Sequence, residues 1–211
     1  SYDEMLEMAS LGAKMNPRSI ELAAVYDVPI LVASAFEDVP GTLIHGGPQM
    51  MEIRRAVTGV AIDRDVAKIT VRAVEDRPGI VGQIFVPFAE AGISVDVIVQ
   101  NASLEGLTDV TFTVPRGDFQ RALDLTKETC ADFAQDVVGN TGLAKMSIVG
   151  TGMQNGPGYA ATMFTALSKV NVNIEMITTS EIRITCVIDA GMIKEAANAL
   201  HSAFELDATG G

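Results

Sequence analysis

The chain has 211 residues, 48% of them apolar and 20% charged, which is the balance of an ordinary globular protein and not of a disordered one. A net charge of −12, with 15 Lys and Arg and no basic run, repels phosphate backbones and anionic headgroups, so neither nucleic acid nor a membrane surface is expected as a partner. Two histidines and two widely separated cysteines, Cys130 and Cys186, supply neither a transition-metal ligand set nor a redox pair, so no metal and no cofactor is expected.

At the N-terminus, the acidic stretch Ser1 to Met8 is unlike a secretion signal, and no apolar run approaches the ~20 residues of a spanning helix; a cytoplasmic protein is expected. Residues 3 to 28 carry a helical pattern in Met5, Leu6, Met8 and Ala9, then Ile20, Leu22, Ala23 and Ala24, broken at Asn16-Pro17. A short apolar strand at Val28 to Ala33 follows. Glu37 to Gln49, with Pro40-Gly41, Gly46-Gly47 and Pro48, reads as a loop or linker. This third is too short to bury a core alone and reads as the tail of a larger domain. Thr58 to Ile62 alternates as a strand should.

Residues 67 to 114 and 144 to 189 are two copies of one pattern. Ala67-Lys68-Ile69-Thr70-Val71 and Ala144-Lys145-Met146-Ser147-Ile148 open them as strands. Each then turns through Pro-Gly, at Pro78-Gly79 and Pro157-Gly158, with the prolines suited to a first helical turn. Helical patterns follow in Ile80, Ile84, Phe85 and Phe88, and in Tyr159, Met163, Phe164 and Leu167. Pro87 should bend the first of these helices or shorten its end. Second strands are expected over 92–98 and 171–177, third strands over 109–114 and 182–188, and second helices over about 118–130 and 193–204.

Each copy therefore reads as an α+β, ferredoxin-like βαββαβ unit. The first can close with a fourth strand near Gln135 to Val138. The second has none of its own, and the strand at 57–62 is expected to complete it. The expected domains are 1–46, 67–142 and 143–207, the last joined by 57–62. A sheet with helices on one face needs cover for its other face or edge, so pairing of repeats within or between chains is expected.

Gly12-Ala13-Lys14 with Pro17-Arg18, the strand ending in Gln100-Asn101, Thr108-Asp109-Val110-Thr111-Phe112, and Asn171-Val172-Asn173-Ile174-Glu175 through Thr179-Ser180-Glu181-Ile182-Arg183 stand in an order and spacing that resembles the aspartate kinase family, over essentially the whole chain. The resemblance implies two tandem ACT domains behind a remnant of the kinase domain. It also implies feedback inhibition by lysine, threonine or both, a homodimer through the ACT domains, and a catalytic kinase chain or domain as partner. The family's glycine-rich Lys-Phe-Gly-Gly-Thr-Ser nucleotide segment is absent, so no catalytic residue is assigned and ATP chemistry by this chain alone is not expected. Asn16-Pro17-Arg18 stands where the family reads His-Pro-Arg, and Ala33-Ser34-Ala35-Phe36 where it reads Arg-Ser-Ser-Phe, departures that fit a chain not required to catalyse.

A free amino acid presents a carboxylate and an ammonium, and a Pro-Gly turn opening a helix offers backbone N–H donors to the first. Asp76 can meet the second. The resemblance places Gly79, Ile80, Val81 and Gln100 in one effector site, with Asn173 and Ile174 of a partner chain. A second site would use Met153, Asn155, Gly158, Ala160 and Glu181, facing Ser94, Val95 and Asp96 of the other chain; Ala160 stands where related kinases can carry a Thr hydroxyl. Two other readings remain at this stage, a small ferredoxin-like enzyme and a ligand-free dimerisation module.

Overall fold

The computed structural model describes residues 1–46, 56–101 and 106–206. The part of the expected loop from 47 to 49, residue 207 and the side chain of Asn155 lie outside this set. The described residues divide into two compact units, one within 64–144 and the other within 1–63 and 145–211.

In the 64–144 unit, β4 (Ala67–Glu75), α3 (Ile80–Glu90), β5 (Ile98–Gln100), β6 (Leu107–Val114), α4 (Phe119–Cys130) and β7 (Asp136–Asn140) form the expected βαββαβ order. The antiparallel sheet runs β5-β6-β4-β7. Alternation on β4 sends Ala67, Ile69 and Val71 into the core, and a bulge after Val71 resets the phase so that Val74 is buried too. Ala73, at the bulge, has φ +51, and its N–H donates to Asp109 Oδ1 at 2.8 Å. Ile80, Ile84 and Phe88 of α3 meet this face, where Phe85, Phe88 and Phe112 pack edge to face with centroids 5.0–5.8 Å apart.

Two local expectations are corrected here. The strand expected over 92–98 is regular only from Ile98 to Gln100. Gly92 turns at φ +65, and Asp96 and Val97 both pair with Thr113: Asp96 N–H donates to Thr113 O and Thr113 N–H to Val97 O, each at 3.0 Å, while the Thr113 hydroxyl takes the extra N–H of Val97 at 3.1 Å, so two residues face one and the register slips before Ile98. Pro78 and Pro157 precede the helices and do not begin them: Gly79 and Gly158 are the N-caps, with positive φ, and α3 starts at Ile80. Pro87 lies inside α3, which ends three residues later at Glu90.

In the other unit, β8 (Leu143–Val149), α5 (Tyr159–Lys169), β9 (Ile174–Thr179), β10 (Arg183–Asp189) and α6 (Ile193–Ala203) repeat the pattern up to its last strand. β3 (Gly59–Asp63) lies antiparallel to β8, with Gly59 opposite Val149 and Asp63 opposite Lys145, and the sheet runs β3-β8-β10-β9. Met146, Ile148, Cys186 and Ile188 share the core with Met163, Leu167, Ile193 and Leu200. The same unit holds α1 (Tyr2–Ser10), α2 (Pro17–Tyr26) and a two-stranded ribbon of β1 (Ile30–Val32) and β2 (Thr42–Ile44). β2 falls where the sequence reads as loop. Tyr2, Ile20, Ala23 and Ile44 form a small core for these elements, and Met8 and Leu11 pack on Ala61 and Val149.

Because Phe88 is 1% exposed at the centre of the aromatic cluster, Phe88→Ala is expected to destabilise the 64–144 unit by about 3–5 kcal/mol. A fall in the urea midpoint with an unchanged slope would show it.

Candidate functional site

The two Pro-Gly turns have the same backbone geometry. Gly79 has φ +90 and Gly158 φ +105, a region that costs an L-residue about 1–2 kcal/mol, and a Cβ at either would point into open space. Glycine is thus required by conformation, and the space above it is free. Gln83 N–H donates to Gly79 O at 3.1 Å and Thr162 N–H to Gly158 O at 2.9 Å. Ile80 N–H is taken by Arg77 O at 3.3 Å. The next amides, of Val81 and Gly82 on α3 and of Ala160 and Ala161 on α5, have no acceptor among the described residues. Each turn therefore presents unpaired N–H donors at the positive end of a helix.

At the first turn, Asp76 is exposed, and its N–H donates to Gly106 O at 2.8 Å, which ties the end of β4 to the start of β6. Arg77 is engaged by Glu75 at 3.1 Å and by Gln83 at 3.3 Å. Gln100 ends β5, which runs parallel to β4, so it stands at the sheet end that carries this turn. The Thr108 hydroxyl donates to Asn101 O there. Ile80 is 1% exposed as a whole residue and its N–H is already taken by Arg77 O, so it belongs to the core and presents no free donor at the turn. Fold geometry thus brings Asp76, Gly79, Val81 and Gln100 to one end of the unit. Asn173 and Ile174 belong to the other unit, where they line an open groove of about 470 Å³ with Phe164, Ser168 and Val172.

Of the second set, Met153 and Asn155 lie in the 3-10 turn Thr151–Asn155, just before Gly158 and Ala160. Glu181 accepts from Gln154 Nε2 at 3.2 Å and lines a cleft of about 650 Å³ with Asp3, Leu6, Glu7, Ser10 and Thr151. Ser94, Val95 and Asp96 belong to the 64–144 unit, on the extended segment before β5; Asp96 N–H donates to Thr113 O at 3.0 Å.

Sequence reading passed over Glu4. It is 7% exposed, and one of its oxygens accepts both the Thr151 N–H at 2.9 Å and the Thr151 hydroxyl at 3.0 Å. The visible signal was Ser1-x-x-Glu4, a capping box, and that box is present; the bonds to Thr151 span the chain and have no local signature. Burial alone would raise the Glu4 carboxyl, but the Ser1 ammonium, the Thr151 backbone and the Ser1 hydroxyl outweigh it and hold it at about 2. Burial pushes the thiols of Cys130 and Cys186 up to about 11 and about 12, so neither is a thiolate near neutrality.

Residues 68–131 and 146–204 each match the ACT domain family. The aspartokinase of Pseudomonas aeruginosa is 45% identical over 211 residues, which is 99% of this chain and 51% of that protein. A crystal structure of aspartokinase alpha and beta subunits is 43% identical and covers 72% of this chain and 100% of its own, with a TM-score of 0.68. The regulatory subunit of aspartate kinase from Thermus thermophilus, in its ligand-free form, is 40% identical, covers 71% of this chain and 99% of its own, and has a TM-score of 0.67. Two ferredoxin-like units, each with a glycine turn that bares helix amides, define a tandem ACT-domain region. The chain belongs to the aspartate kinase family, and the part of the family that it matches is the regulatory one. It spans about half the length of the curated relatives it matches. No helix among the described residues is long and apolar enough to cross a membrane.

Two outcomes follow from the turn and from Glu4. Gly79→Ala is expected to cost about 1–2 kcal/mol through the backbone alone, and thermal unfolding would measure it. Glu4 is held below its ordinary 4.5, so its contribution to stability is complete above that pH and is lost as pH falls towards about 2. Glu4→Gln should remove that part of the acid dependence, which acid titration of unfolding in the two proteins would reveal.

Proposed function

We propose that this region is the amino-acid sensor of an aspartate kinase and mediates feedback inhibition by lysine, threonine or both. The observation that carries the reading is the pair of open turns. A carboxylate of the effector accepts from the unpaired amides beside Gly79, helped by the helix dipole, and the exposed Asp76 carboxylate receives its ammonium. Val81 and Gln100 flank it, and Asn173 and Ile174 of a second copy close the site. The second site is built likewise from Met153, Asn155, Gly158, Ala160 and Glu181, facing Ser94, Val95 and Asp96 of the other copy. Ala160 provides no hydroxyl, so this site depends more heavily on backbone donors.

The working form is a homodimer through the ACT domains, since a ligand held between two copies favours one arrangement of the pair. Coupling of about 1–3 kcal/mol changes an attached activity about 5- to 150-fold. The activity itself, phosphotransfer from ATP to the side-chain carboxylate of aspartate, belongs to a catalytic half or chain that this one lacks. Two features support such a partner. The relatives are about twice as long, and large apolar side chains stand exposed in the N-terminal third, among them Val25 at 76%, Tyr26 at 73%, Leu31 at 65% and Phe36 at 98%.

Calorimetric titration with lysine and with threonine tests the reading. At least one is expected to bind, and Asp76→Ala to weaken it about 10-fold or more through loss of a charged hydrogen bond. Absence of heat and of any thermal shift with both would leave a dimerisation module as the better description.

A further inference from the structure

Two carboxylates on one face of α1, Glu4 and Glu7, reach the part of the second ACT unit that carries its glycine turn. Glu4 accepts from the backbone and hydroxyl of Thr151, at 2.9 and 3.0 Å, and Glu7 Oε2 accepts from Arg183 Nη1 at 2.8 Å. Thr151 is the first residue of the turn that leads through Met153 and Asn155 to Gly158. Arg183 opens β10, and Gly150 N–H donates to Ile182 O at 2.9 Å, so the two anchor points are themselves joined. Below them, Met8 and Leu11 are seated on Ala61 and Val149.

A buried carboxylate whose acceptor bonds are broken is left desolvated and unpaired, which costs more than the bonds contribute while intact. Glu4, at 7% exposure, keeps its Oε2 on Ser1 at 2.8 and 2.9 Å, but both bonds shown to its Oε1 come from Thr151, so it is this oxygen that would be left desolvated. Displacement of Thr151 therefore carries Glu4 with it or strands it, and the helix and the turn behave as one element. The Arg183 contact adds direction: its Nε is buried with no partner among the described residues, so the Glu7 bond is the pairing that holds this guanidinium in place.

We propose that Glu4 and Thr151 form a coupling clasp, through which helix α1 senses the geometry of the 150–158 turn. The ligand-dependent part of this proposal rests on the reading that an amino acid binds at Gly158. Closure of the turn over a ligand then changes how firmly α1 is held, and by linkage a change at α1 alters affinity at the turn. Glu4 and Thr151 are positioning residues here; neither is required to touch the ligand.

Hydrogen exchange of the 211-residue chain tests the clasp with and without ligand. Without ligand, Thr151→Val is expected to speed exchange of the α1 amides about fivefold, the size of one lost hydrogen bond. Thr151→Ser should restore the wild-type rate, and the amides of β9 and α6 should be unaffected. Unchanged α1 exchange in Thr151→Val, or equal acceleration throughout the unit, would overturn the proposal. Lysine and threonine are then added in turn. Binding seen by calorimetry should slow α1 exchange in the wild type and do so less in Thr151→Val; binding that leaves α1 exchange unmoved also overturns it. Failure of both amino acids to bind counts against the sensor reading, and the ligand-free comparison still decides the clasp.

Discussion

The pairing of β3 with β8 is the contact on which the rest of the architecture depends. Five residue pairs, from Gly59–Val149 to Asp63–Lys145, hold a strand that precedes the first ACT unit in the sheet of the second. Without it β8 would be an edge, with a row of unpaired backbone groups and Ala61 withdrawn from Met8 and Leu11. With it, the chain must leave this sheet after Asp63, build the whole 64–144 unit, and return at Lys145. The second unit is therefore discontinuous in sequence, and the end of α1, at Met8 and Leu11, is packed on the same sheet.

That threading explains why the two repeats differ in what surrounds them. Their turns match in backbone, with positive φ at Gly79 and Gly158 and unpaired amides at the second and third helical positions. Their settings do not match. Asp76 stands exposed at the first turn beside the ion pair of Glu75 and Arg77, whereas Thr151, at the start of the second, is bonded to a buried carboxylate from α1. One turn is dressed by its own neighbours, the other by an element 147 residues away in the chain.

The same contrast marks what the sequence could reveal. The repeat was legible because strand alternation and helical spacing act over short windows, and Ile69-Thr70-Val71 or Ile80, Ile84 and Phe88 bury the side chains that their periods select. The turn glycines were legible for a similar reason, since Pro-Gly before an apolar helix is a local signal. The 92–98 segment misled because its alternation is real, with Ile93 buried, while Asp96 and Val97 both pair with the single residue Thr113, a slip of register that alternation does not encode. β2 was hidden by its length of three residues among Pro and Gly. Glu4 was passed over: Ser1-x-x-Glu4 could have signalled its capping box, but nothing local says that its other oxygen is taken by Thr151.

If the turns hold an amino acid as proposed, recognition through backbone amides bears on selectivity. A carboxylate is common to every amino acid, so under the proposed binding mode donors at Val81, Gly82, Ala160 and Ala161 would supply affinity without choice. Choice must come from what the effector's own side chain meets. Around the first turn the available chemistry is the polar end of β5 at Gln100 and the acidic Asp76; around the second it is a methyl at Ala160 and, in the neighbouring cleft, the acids Asp3, Glu7 and Glu181. A cationic side chain gains from carboxylates at either turn, whereas a short hydroxylated one needs a hydrogen-bonding partner, which Gln100 offers and Ala160 does not. The two turns can therefore share a mode of holding the main chain of an amino acid and still differ in which one they hold best.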